Sequence, residues 1–336
     1  MNILLTGGLG YIGSHTAVEL LNKGHEVVVI DNLSNSKRSV KTAIEKITGK
    51  KIELCVFDLC NKNKLMTFFE NHKIDAVIHF AGLKAVGESV AIPVKYYQNN
   101  LICTLNLIEC MLKYNVNNLI FSSSATVYGE NNKVPFTEDM PTGATNPYGR
   151  TKLFIEEIIK DTCRAYPNFK AVILRYFNPV GAHSSGLIGE DPNGRPNNLM
   201  PFIARVAVGK LDKLSIFGHD YPTPDKTGVR DYIHVCDLAL GHVAALKMFG
   251  KMKGYEIINL GTGNGVSVLE MVNAYNKVCG GKVKYEFAPR RAGDIAECYA
   301  CADKAKKELN WQATRNLEDM CKTSYNYECK HTKKQK

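Results

Sequence analysis

A tyrosine and a lysine four residues apart form the most chemically informative pattern in this sequence. Tyr148 and Lys152 lie in the stretch PYGRTK, where Pro147 suits the first turn of a helix. A spacing of four places both side chains on one helix face, so an ammonium group would lie beside a phenol. An ordinary tyrosine has a pKa of about 10, too high for a base at neutral pH. We expect the neighbouring positive charge to lower this pKa, so that Tyr148 can transfer a proton.

A serine at the end of a predicted strand could bind the same substrate hydroxyl. Ser124 closes the run FSSS, which follows the apolar residues of the fifth predicted strand. A Tyr-x-x-x-Lys pair alone is common on protein surfaces, where it has no chemical role. Together with Ser124 and the glycine-rich segment described next, the pair predicts a catalytic site that moves a proton on and off a hydroxyl.

The N-terminal segment TGGLGYIG carries a dinucleotide-binding fingerprint. It joins the first predicted strand to the first helix, and it fits both Gly8-x-Gly10-x-x-Gly13 and the variant that begins at Gly7. Glycines at these positions let the chain approach a pyrophosphate at the positive end of the helix. Asp31 follows Gly13 by 18 residues, at the end of the second predicted strand. Its carboxylate would bind the ribose hydroxyls and repel a 2′-phosphate, which predicts NAD rather than NADP. The alternative is a glycine turn with a capping aspartate and no ligand.

Alternating apolar and amphipathic segments must position these groups. Strands are predicted at 2–6, 26–30, 52–57, 76–80, 118–122 and 171–176, and helices at 12–23, 37–48, 62–72, 94–114 and 147–166. This alternation predicts an α/β fold with a doubly wound parallel sheet, the Rossmann arrangement, in which ligands bind at the carboxyl ends of strands.

The second half of the chain has a different composition and a less regular pattern of predicted elements. Residues 178–201 are rich in Gly, Pro and Asn and predict a long functional loop. A smaller α+β substrate domain is predicted beyond it, with helices at 199–208, 234–249 and 267–279, strands at 214–217, 256–260 and 283–287, and two weaker helices near the end. We therefore assign 1–177 to an NAD-binding Rossmann domain and 178–329 mainly to a substrate-binding cap, part of which can return to the Rossmann domain. Residues 330–336 are predicted to form a basic, flexible tail.

Composition excludes several other classes of protein. The chain has 336 residues, 45% of them hydrophobic, and no apolar run approaches the ~20 residues of a membrane span. Eleven cysteines without a signal segment predict reduced thiols in the cytoplasm. The net charge of +10 comes mostly from residues 37–51 and 330–336, which lack interleaved aromatics, so we predict a solvated surface and no nucleic-acid partner. Cys298-x-x-Cys301 could be half of a zinc site, but the sequence has no second pair of ligands at zinc spacing. The histidines also lack the spacing of metal ligands, so no metal is predicted.

A set of segments gives the chain a resemblance to one family over residues 1 to about 329. These segments are TGGLGYIGSH, DNLSNS, HFAGLKAVGES, SSSATVYG, YGRTK, RYFNPVGAH, PNNLMP, GVRDYIHV and APRRAGD. The sequence resembles the UDP-glucose 4-epimerases (UDP-galactose 4-epimerases) of the extended short-chain dehydrogenase/reductase family. Related 4,6-dehydratases carry an Asp-Glu pair where this chain has Ala125 and Thr126, so dehydration is not expected.

The resemblance implies an NAD-dependent isomerase that interconverts UDP-glucose and UDP-galactose through a 4-keto intermediate. Tyr148, Lys152 and Ser124 would be its catalytic residues. Together with the strand ends, the resemblance predicts NAD contacts at Gly7, Gly10, Tyr11, Ile12, Gly13, Asp31, Asn32, Asn35, Ser36, Asp58, Leu59, Phe80, Ala81, Gly82, Lys84, Asn99, Ser124, Tyr148, Lys152 and Phe177. It predicts substrate contacts at Ser124, Tyr148, Asn178, Asn198, Leu199, Ser215, Ile216, Phe217, Arg230, Arg291, Asp294 and Cys298.

Three further expectations accompany this resemblance. Cys298 stands where some members carry a bulky tyrosine, so the sugar pocket is expected to admit UDP-GlcNAc and UDP-GalNAc as well. A catalytically inactive dinucleotide sensor would typically lack the Tyr148 and Lys152 pair, so its retention argues against that alternative. The family resemblance also implies a homodimer through helices 94–114 and 147–166. The apolar residues that could form its interface could equally be core: Leu101, Leu105, Ile108, Leu112, Leu153 and Ile158.

Overall fold

The first half of the chain alternates between strand and helix, except that α4 is followed directly by α5. The computed structural model describes residues 1–194, 196–291 and 294–333. Continuous β-branched runs form the strands and amphipathic segments the helices, as expected for a sheet that is covered on both faces. The elements are β1 (Asn2–Thr6), α1 (Tyr11–Asn22), β2 (Glu26–Asp31), α2 (Arg38–Thr48), β3 (Glu53–Val56), α3 (Lys62–Asn71), β4 (Ala76–His79), α4 (Val86–Ala91), α5 (Pro93–Lys113), β5 (Asn118–Ser124), α6 (Pro147–Ala165) and β6 (Lys170–Tyr176).

The second half has shorter strands and more irregular connections. Its helix α9 starts with a capping box. The Glu270 backbone N–H donates to the Ser267 hydroxyl, and the Ser267 backbone N–H donates to the Glu270 carboxylate. The elements are β7 (Asn178–Val180), α7 (Leu199–Ala207), β8 (Leu214–Phe217), β9 (Val229–Arg230), β10 (Tyr232–His234), α8 (Val235–Ala245), β11 (Tyr255–Leu260), β12 (Val266–Ser267), α9 (Val268–Cys279), β13 (Tyr285–Ala288), β14 (Glu297–Cys298), α10 (Asp303–Leu309) and α11 (Leu317–Lys333).

Seven parallel strands form the main sheet, in the order β11-β6-β5-β4-β1-β2-β3. The order reverses between β1 and β4, and a crevice at such a switch point is the usual ligand site of a doubly wound sheet. One apolar core lies under α1, α2 and α8 and the other under α3, α5 and α6, so the sheet is buried on both faces. The predicted fold class is confirmed.

The cap is held together by a third apolar cluster between α7, α9 and α11. It also contains short two- and three-stranded sheets made from β7–β10 and β12–β14. Part of segment 178–329 belongs to the Rossmann domain, because β11 pairs with β6 at the edge of the main sheet and α8 packs on α1.

Most predicted bounds lie within two residues of the observed ones, and two differ by more. The helix predicted at 234–249 ends at Ala245 and continues as a 3-10 turn over Leu246–Gly250. The predicted tail begins too early, since α11 continues to Lys333 and Lys330 Nζ donates to the Ser185 carbonyl at 2.7 Å. The rest of that tail, residues 334–336, lies outside the described residues.

Within the described ranges, no helix combines the length and apolar character needed to cross a membrane. The predicted solvated character of segment 37–51 is confirmed for most of its cations, since Lys37, Arg38, Lys46, Lys50 and Lys51 are exposed.

Candidate active site

A cleft of about 1640 Å³ runs from the switch point of the sheet into the cap. It is lined by every predicted NAD and substrate residue except Cys298. Residues from both ends of the chain, from Gly7 to His331, therefore face one continuous cavity. Lys37 and Lys46 of the basic segment also line it.

The glycine-rich turn after β1 leaves room for a ligand only because its residues lack side chains. Gly7 has a φ of +67°, and a Cβ there would lie 2.9 Å from the Cα of Ala81. A Cβ at Gly13 would lie 2.6 Å from the Gly7 carbonyl oxygen. Helix α1 begins just after Gly10, which supplies no side-chain cap, so the first-turn N–H groups are open to an anion. This cradle fits the pyrophosphate of a dinucleotide.

Asp31 organises the loop where the ribose of a dinucleotide would bind. It is buried at the end of β2, and its carboxylate accepts hydrogen bonds from Leu9 N at 3.0 Å, Leu33 N at 2.9 Å and Ser36 Oγ at 2.8 Å. Asn32 beside it donates to Asp58 Oδ2 at 2.9 Å and thereby joins the ends of β2 and β3. An acidic side chain at this place favours free ribose hydroxyls over a 2′-phosphate.

Helix α6 presents Tyr148 and Lys152 to the centre of the cleft. Asn146 caps it through a hydrogen bond from Gly149 N at 2.9 Å, and Pro147 occupies the first helical position. The backbone N–H of Tyr148 donates to Ser89 Oγ of α4 at 3.1 Å. Lys152 Nζ donates to the Ser122 carbonyl at 2.6 Å and lies 6.0 Å from the centroid of the Tyr148 ring.

The pKa values of this pair differ from the sequence expectation. Burial raises the pKa of Tyr148, and hydrogen bonding by Ser124 only partly opposes this rise. Burial also lowers the pKa of Lys152 to about 8, and the neighbouring Cys103 and Glu156 only partly oppose this fall. The expected lowering of the Tyr148 pKa by Lys152 is therefore wrong for the protein chain alone. Its physical reason is that both groups are desolvated and that the ammonium points to the Ser122 carbonyl.

Two arginines converge at the cap end of the cleft. Arg291 Nε donates to Asp294 Oδ2 at 2.9 Å, and Arg230 Nη2 lies 4.0 Å from Asp294 Oδ1. The guanidinium of Arg291 stacks over the Phe217 ring, with its central carbon 5.0 Å from the ring centroid. Guanidinium groups in this arrangement suit a diphosphate, and the aromatic ring suits a flat base.

Cys298 is the one predicted site residue that does not line the cleft. It lies on β14 opposite Arg230, and its side chain packs beside a cluster that contains Phe177 and Ala125. Burial raises the pKa of its thiol to about 11, so it is a neutral, small apolar group.

A segment of the predicted loop 178–201 crosses the dinucleotide half of the cleft, and its contacts there were not predicted. We call residues 190–193 the strap. Its Asp191 pairs with Lys37 at 2.5 Å, and Asn193 donates to the Ser34 carbonyl at 3.2 Å, both contacts being to the loop after β2.

The first residue of the strap reaches a second loop of the Rossmann domain. Glu190 Oε1 lies 3.2 Å from Lys84 Nζ after β4 and accepts from Asn198 Nδ2 at 2.7 Å. The strap thus connects the cap to both loops that would flank bound NAD. Its sequence, EDPN, carries no periodic or motif signal, because each contact depends on the folded positions of distant loops.

A second group of polar side chains lies away from the cleft. Glu53, Cys55 and His72 place one ligand-type atom each within 4.8 Å of the others. His72 Nε2 lies 3.0 Å from Glu53 Oε1, and the Cys55 thiol donates to the same oxygen at 3.6 Å. Burial raises the pKa of Cys55 to about 11, which keeps it a thiol. Mutual hydrogen bonds therefore account for this trio.

Comparison with known proteins agrees with the geometry of the cleft. Residues 3–261 match the family described as NAD dependent epimerase/dehydratase. The UDP-glucose 4-epimerase of Bacillus subtilis (strain 168) is 59% identical over 328 residues, which cover 98% of this chain and 97% of that protein.

Solved structures give the same result. UDP-glucose 4-epimerase from Bifidobacterium longum, in complex with NAD+ and UDP, has a TM-score of 0.96 and 52% identity, with 99% of each chain covered. The UDP-Glc/GlcNAc 4-epimerase of Campylobacter jejuni has a TM-score of 0.86 and 41% identity, covering 98% of this chain and 99% of that one. The chain thus belongs to the NAD dependent epimerase/dehydratase family and, within it, to the group of the UDP-glucose 4-epimerases.

Proposed function

We propose that this isomerase interconverts UDP-glucose and UDP-galactose by inverting C4 of the sugar. The observation that carries the proposal is the position of Tyr148, Lys152 and Ser124 between the glycine cradle and the arginine-lined end of one cleft. In this proposal residues 1–177 mainly hold NAD, and the part of 178–329 that forms the cap mainly holds the nucleotide sugar.

Each end of the cleft supplies a separate part of the chemistry. NAD held by Gly7, Gly10, Gly13 and Asp31 would supply the acceptor for a hydride from the sugar C4 and the donor that returns it to the opposite face. Tyr148 accepts the proton of the sugar 4-hydroxyl and later gives it back. Ser124 donates to the same sugar oxygen and orients it, and Lys152 stabilises the tyrosinate. Arg230 and Arg291 hold the diphosphate, so that the sugar can rotate while the nucleotide stays fixed.

The proposal is tested by incubating the purified protein with UDP-galactose and measuring UDP-glucose formation, without added NAD. Turnover is expected because the cofactor returns to its starting state in each cycle. Reduced-nicotinamide absorbance that develops with UDP-sugar and remains with the protein after desalting would support the same mechanism. A chain that holds NAD but forms no UDP-glucose would contradict it.

We infer a second substrate pair, UDP-GlcNAc and UDP-GalNAc, from the small side chain at Cys298. This residue packs near Phe177, and its thiol is compact and uncharged at neutral pH. A compact residue here leaves volume for an acetamido group, which a tyrosine would occupy. The Campylobacter jejuni relative is named a UDP-Glc/GlcNAc 4-epimerase, which supports this inference by likeness.

Cys298→Tyr is expected to lower kcat/KM for UDP-GalNAc by about 10- to 100-fold relative to UDP-galactose, because the larger ring fills the acetamido space. Parallel kinetics on both substrates measure this ratio. Cys298→Ser, which keeps the small volume, is the matched control and should leave the ratio unchanged. Absence of UDP-GalNAc turnover by the unmodified protein would contradict the second substrate pair.

We also propose a homodimer through α5 and α6, which pack on each other beside the active site. Large apolar side chains are exposed on both helices: Ile102 is 43%, Leu105 48% and Phe154 45% exposed. Of the interface candidates named from the sequence, Ile108 is buried in the core instead, because it faces the sheet. Leu101, Leu112 and Ile158 also pack against that core, and Leu153 packs against the cluster around Phe177.

Leu105→Glu is expected to convert the dimer to a monomer, because it places a charge in the centre of the apolar face. Light scattering coupled to size-exclusion chromatography measures the mass. Tyr285→Glu is the control, because Tyr285 on β13 is 40% exposed, similar to Leu105, but lies outside α5 and α6. This variant should leave the dimer intact. A monomeric unmodified protein at micromolar concentration would contradict the proposal.

All eleven cysteines are free thiols. We propose that the protein works in the cytoplasm, where a reducing environment preserves that state.

A further inference from the structure

A buried carboxylate lies one helical turn beyond Lys152, on the face of α6 that also carries Tyr148. Glu156 is 0% exposed, and its partner Arg175 on β6 is 1% exposed. Arg175 Nε donates to Glu156 Oε1 at 3.0 Å, and Arg175 Nη2 donates to Oε2 at 2.6 Å. A bidentate pair of this kind holds both side chains in one orientation.

The ion pair is also connected to the strand that carries Ser124. Ser123 Oγ donates to Glu156 Oε1 at 2.5 Å, and Lys152 Nζ donates to the Ser122 carbonyl at 2.6 Å. Helix α6 therefore holds two consecutive residues of β5 immediately before Ser124. Arg175 of β6 is the register partner of Ser123 of β5. The neighbouring strand therefore also supports β5 immediately before Ser124.

Glu156 also sets the charge around Lys152. The titratable groups that face Lys152 within the described chain are His79 on β4, Cys103 on α5, and Tyr148 and Glu156 on α6. Burial lowers the pKa of His79 to about 3 and raises that of Cys103 to about 12, so both are neutral near pH 7. Glu156 is thus the group in this set whose negative charge favours the ammonium form of Lys152.

We propose that Glu156, held by Arg175, is a positioning residue that fixes Lys152 and Ser124 relative to Tyr148. This inference rests on the proposed epimerase function. The simpler alternative is that the ion pair only supports the fold. The two differ in their consequence, because a merely structural pair would change stability without changing how Lys152 titrates.

The double variant Glu156→Leu/Arg175→Met tests the proposal, since it removes both charges and leaves neither unpaired. We expect kcat for UDP-galactose to fall about 10- to 100-fold with little change in KM, because the catalytic groups lose their alignment. We also expect the alkaline limb of the kcat profile to move to lower pH, and further in Glu156→Gln, where Arg175 keeps its charge, because Lys152 loses its anionic neighbour in both variants. A folded, NAD-replete double variant with the kcat and pH profile of the unmodified protein would overturn the proposal.

A second readout does not depend on turnover. The Nζ resonance of Lys152 in protein labelled with 15N-lysine, identified by its loss in Lys152→Met, reports the titration of this group directly. Its midpoint should fall in the double variant and also in Glu156→Gln, which keeps the shape of the side chain and serves if the double variant does not fold. An unchanged midpoint in the folded variants contradicts the proposal. Failure of the unmodified protein to epimerise UDP-galactose would instead contradict the proposed function.

Asp237→Asn provides the matched control for lost stability. Asp237 is buried and pairs with Arg315 between α8 and the segment before α11, away from Tyr148. This variant should lower the melting temperature while leaving the alkaline limb and the Lys152 midpoint in place. If Asp237→Asn shifted the alkaline limb and the Lys152 midpoint as well, these two quantities would depend on the stability of the whole protein. That result would count against a specific role for Glu156.

Discussion

Tyr148→Phe is expected to lower kcat for UDP-galactose by about 1000-fold, because it removes the group that takes and returns the proton of the sugar hydroxyl. The phenyl ring keeps the shape of the tyrosine, so the cleft and the cofactor cradle should remain intact. Steady-state kinetics, together with the NAD content of the purified variant, measure both parts of this expectation.

The control for this variant lies on the same helix. Tyr166 follows the last residue of α6, is 51% exposed and does not line the cleft, so Tyr166→Phe should keep full activity. Full activity in Tyr148→Phe would show that another group transfers the proton. A loss of bound NAD together with activity would show instead that the tyrosine mainly holds the cofactor.

Asp31→Ala is expected to weaken NAD binding by about 100-fold or more, equivalent to roughly 3 kcal/mol, because charged hydrogen bonds to two ribose hydroxyls are lost. The Leu9, Leu33 and Ser36 donors also lose their common acceptor, which loosens the loop after β2. Calorimetric titration of cofactor-free protein with NAD measures the affinity. The same titration with NADP should show that the affinities for NAD and NADP differ less in Asp31→Ala than in the unmodified protein, because the carboxylate that repels a 2′-phosphate is gone.

Asp75→Ala is the matched control for this second variant. Asp75 is an exposed aspartate just before β4, at the amino ends of the strands, where its Oδ2 accepts from Asn2 N at 2.8 Å. Its removal should leave NAD affinity unchanged. Undiminished NAD affinity in Asp31→Ala would rule out the ribose role of that carboxylate.

Local patterns were sufficient to predict the first half of the fold. Strand β1 and strand β8 match their predicted bounds, since an apolar run between turn residues leaves few alternatives. Tyr148, Lys152 and Asp31 could be found for a related reason, because their roles depend on spacing within one helix or at one strand end. The strands of two or three residues, such as β9 and β12, were not predicted, since so short a segment has no measurable periodicity.

The features that were missed depend on contacts between distant segments. Glu156 finds Arg175 only because α6 packs against β6, and Glu190 meets Lys84 only because the cap folds back over β4. For the protein chain alone, the rise in the pKa of Tyr148 was missed for a similar reason. Sequence spacing reveals a neighbouring charge, but the extent of burial that raises this pKa becomes visible only in the folded chain.

The strap at residues 190–193 has a consequence for the place of this enzyme in cell metabolism. A cofactor that stays behind it through many cycles does not equilibrate with the free NAD pool on the timescale of turnover. The direction of net flux would then follow the ratio of the two nucleotide sugars alone. A cell whose free nicotinamide becomes largely reduced, as under oxygen limitation, would keep epimerising at its previous rate, provided that each chain acquired an oxidised cofactor when it folded.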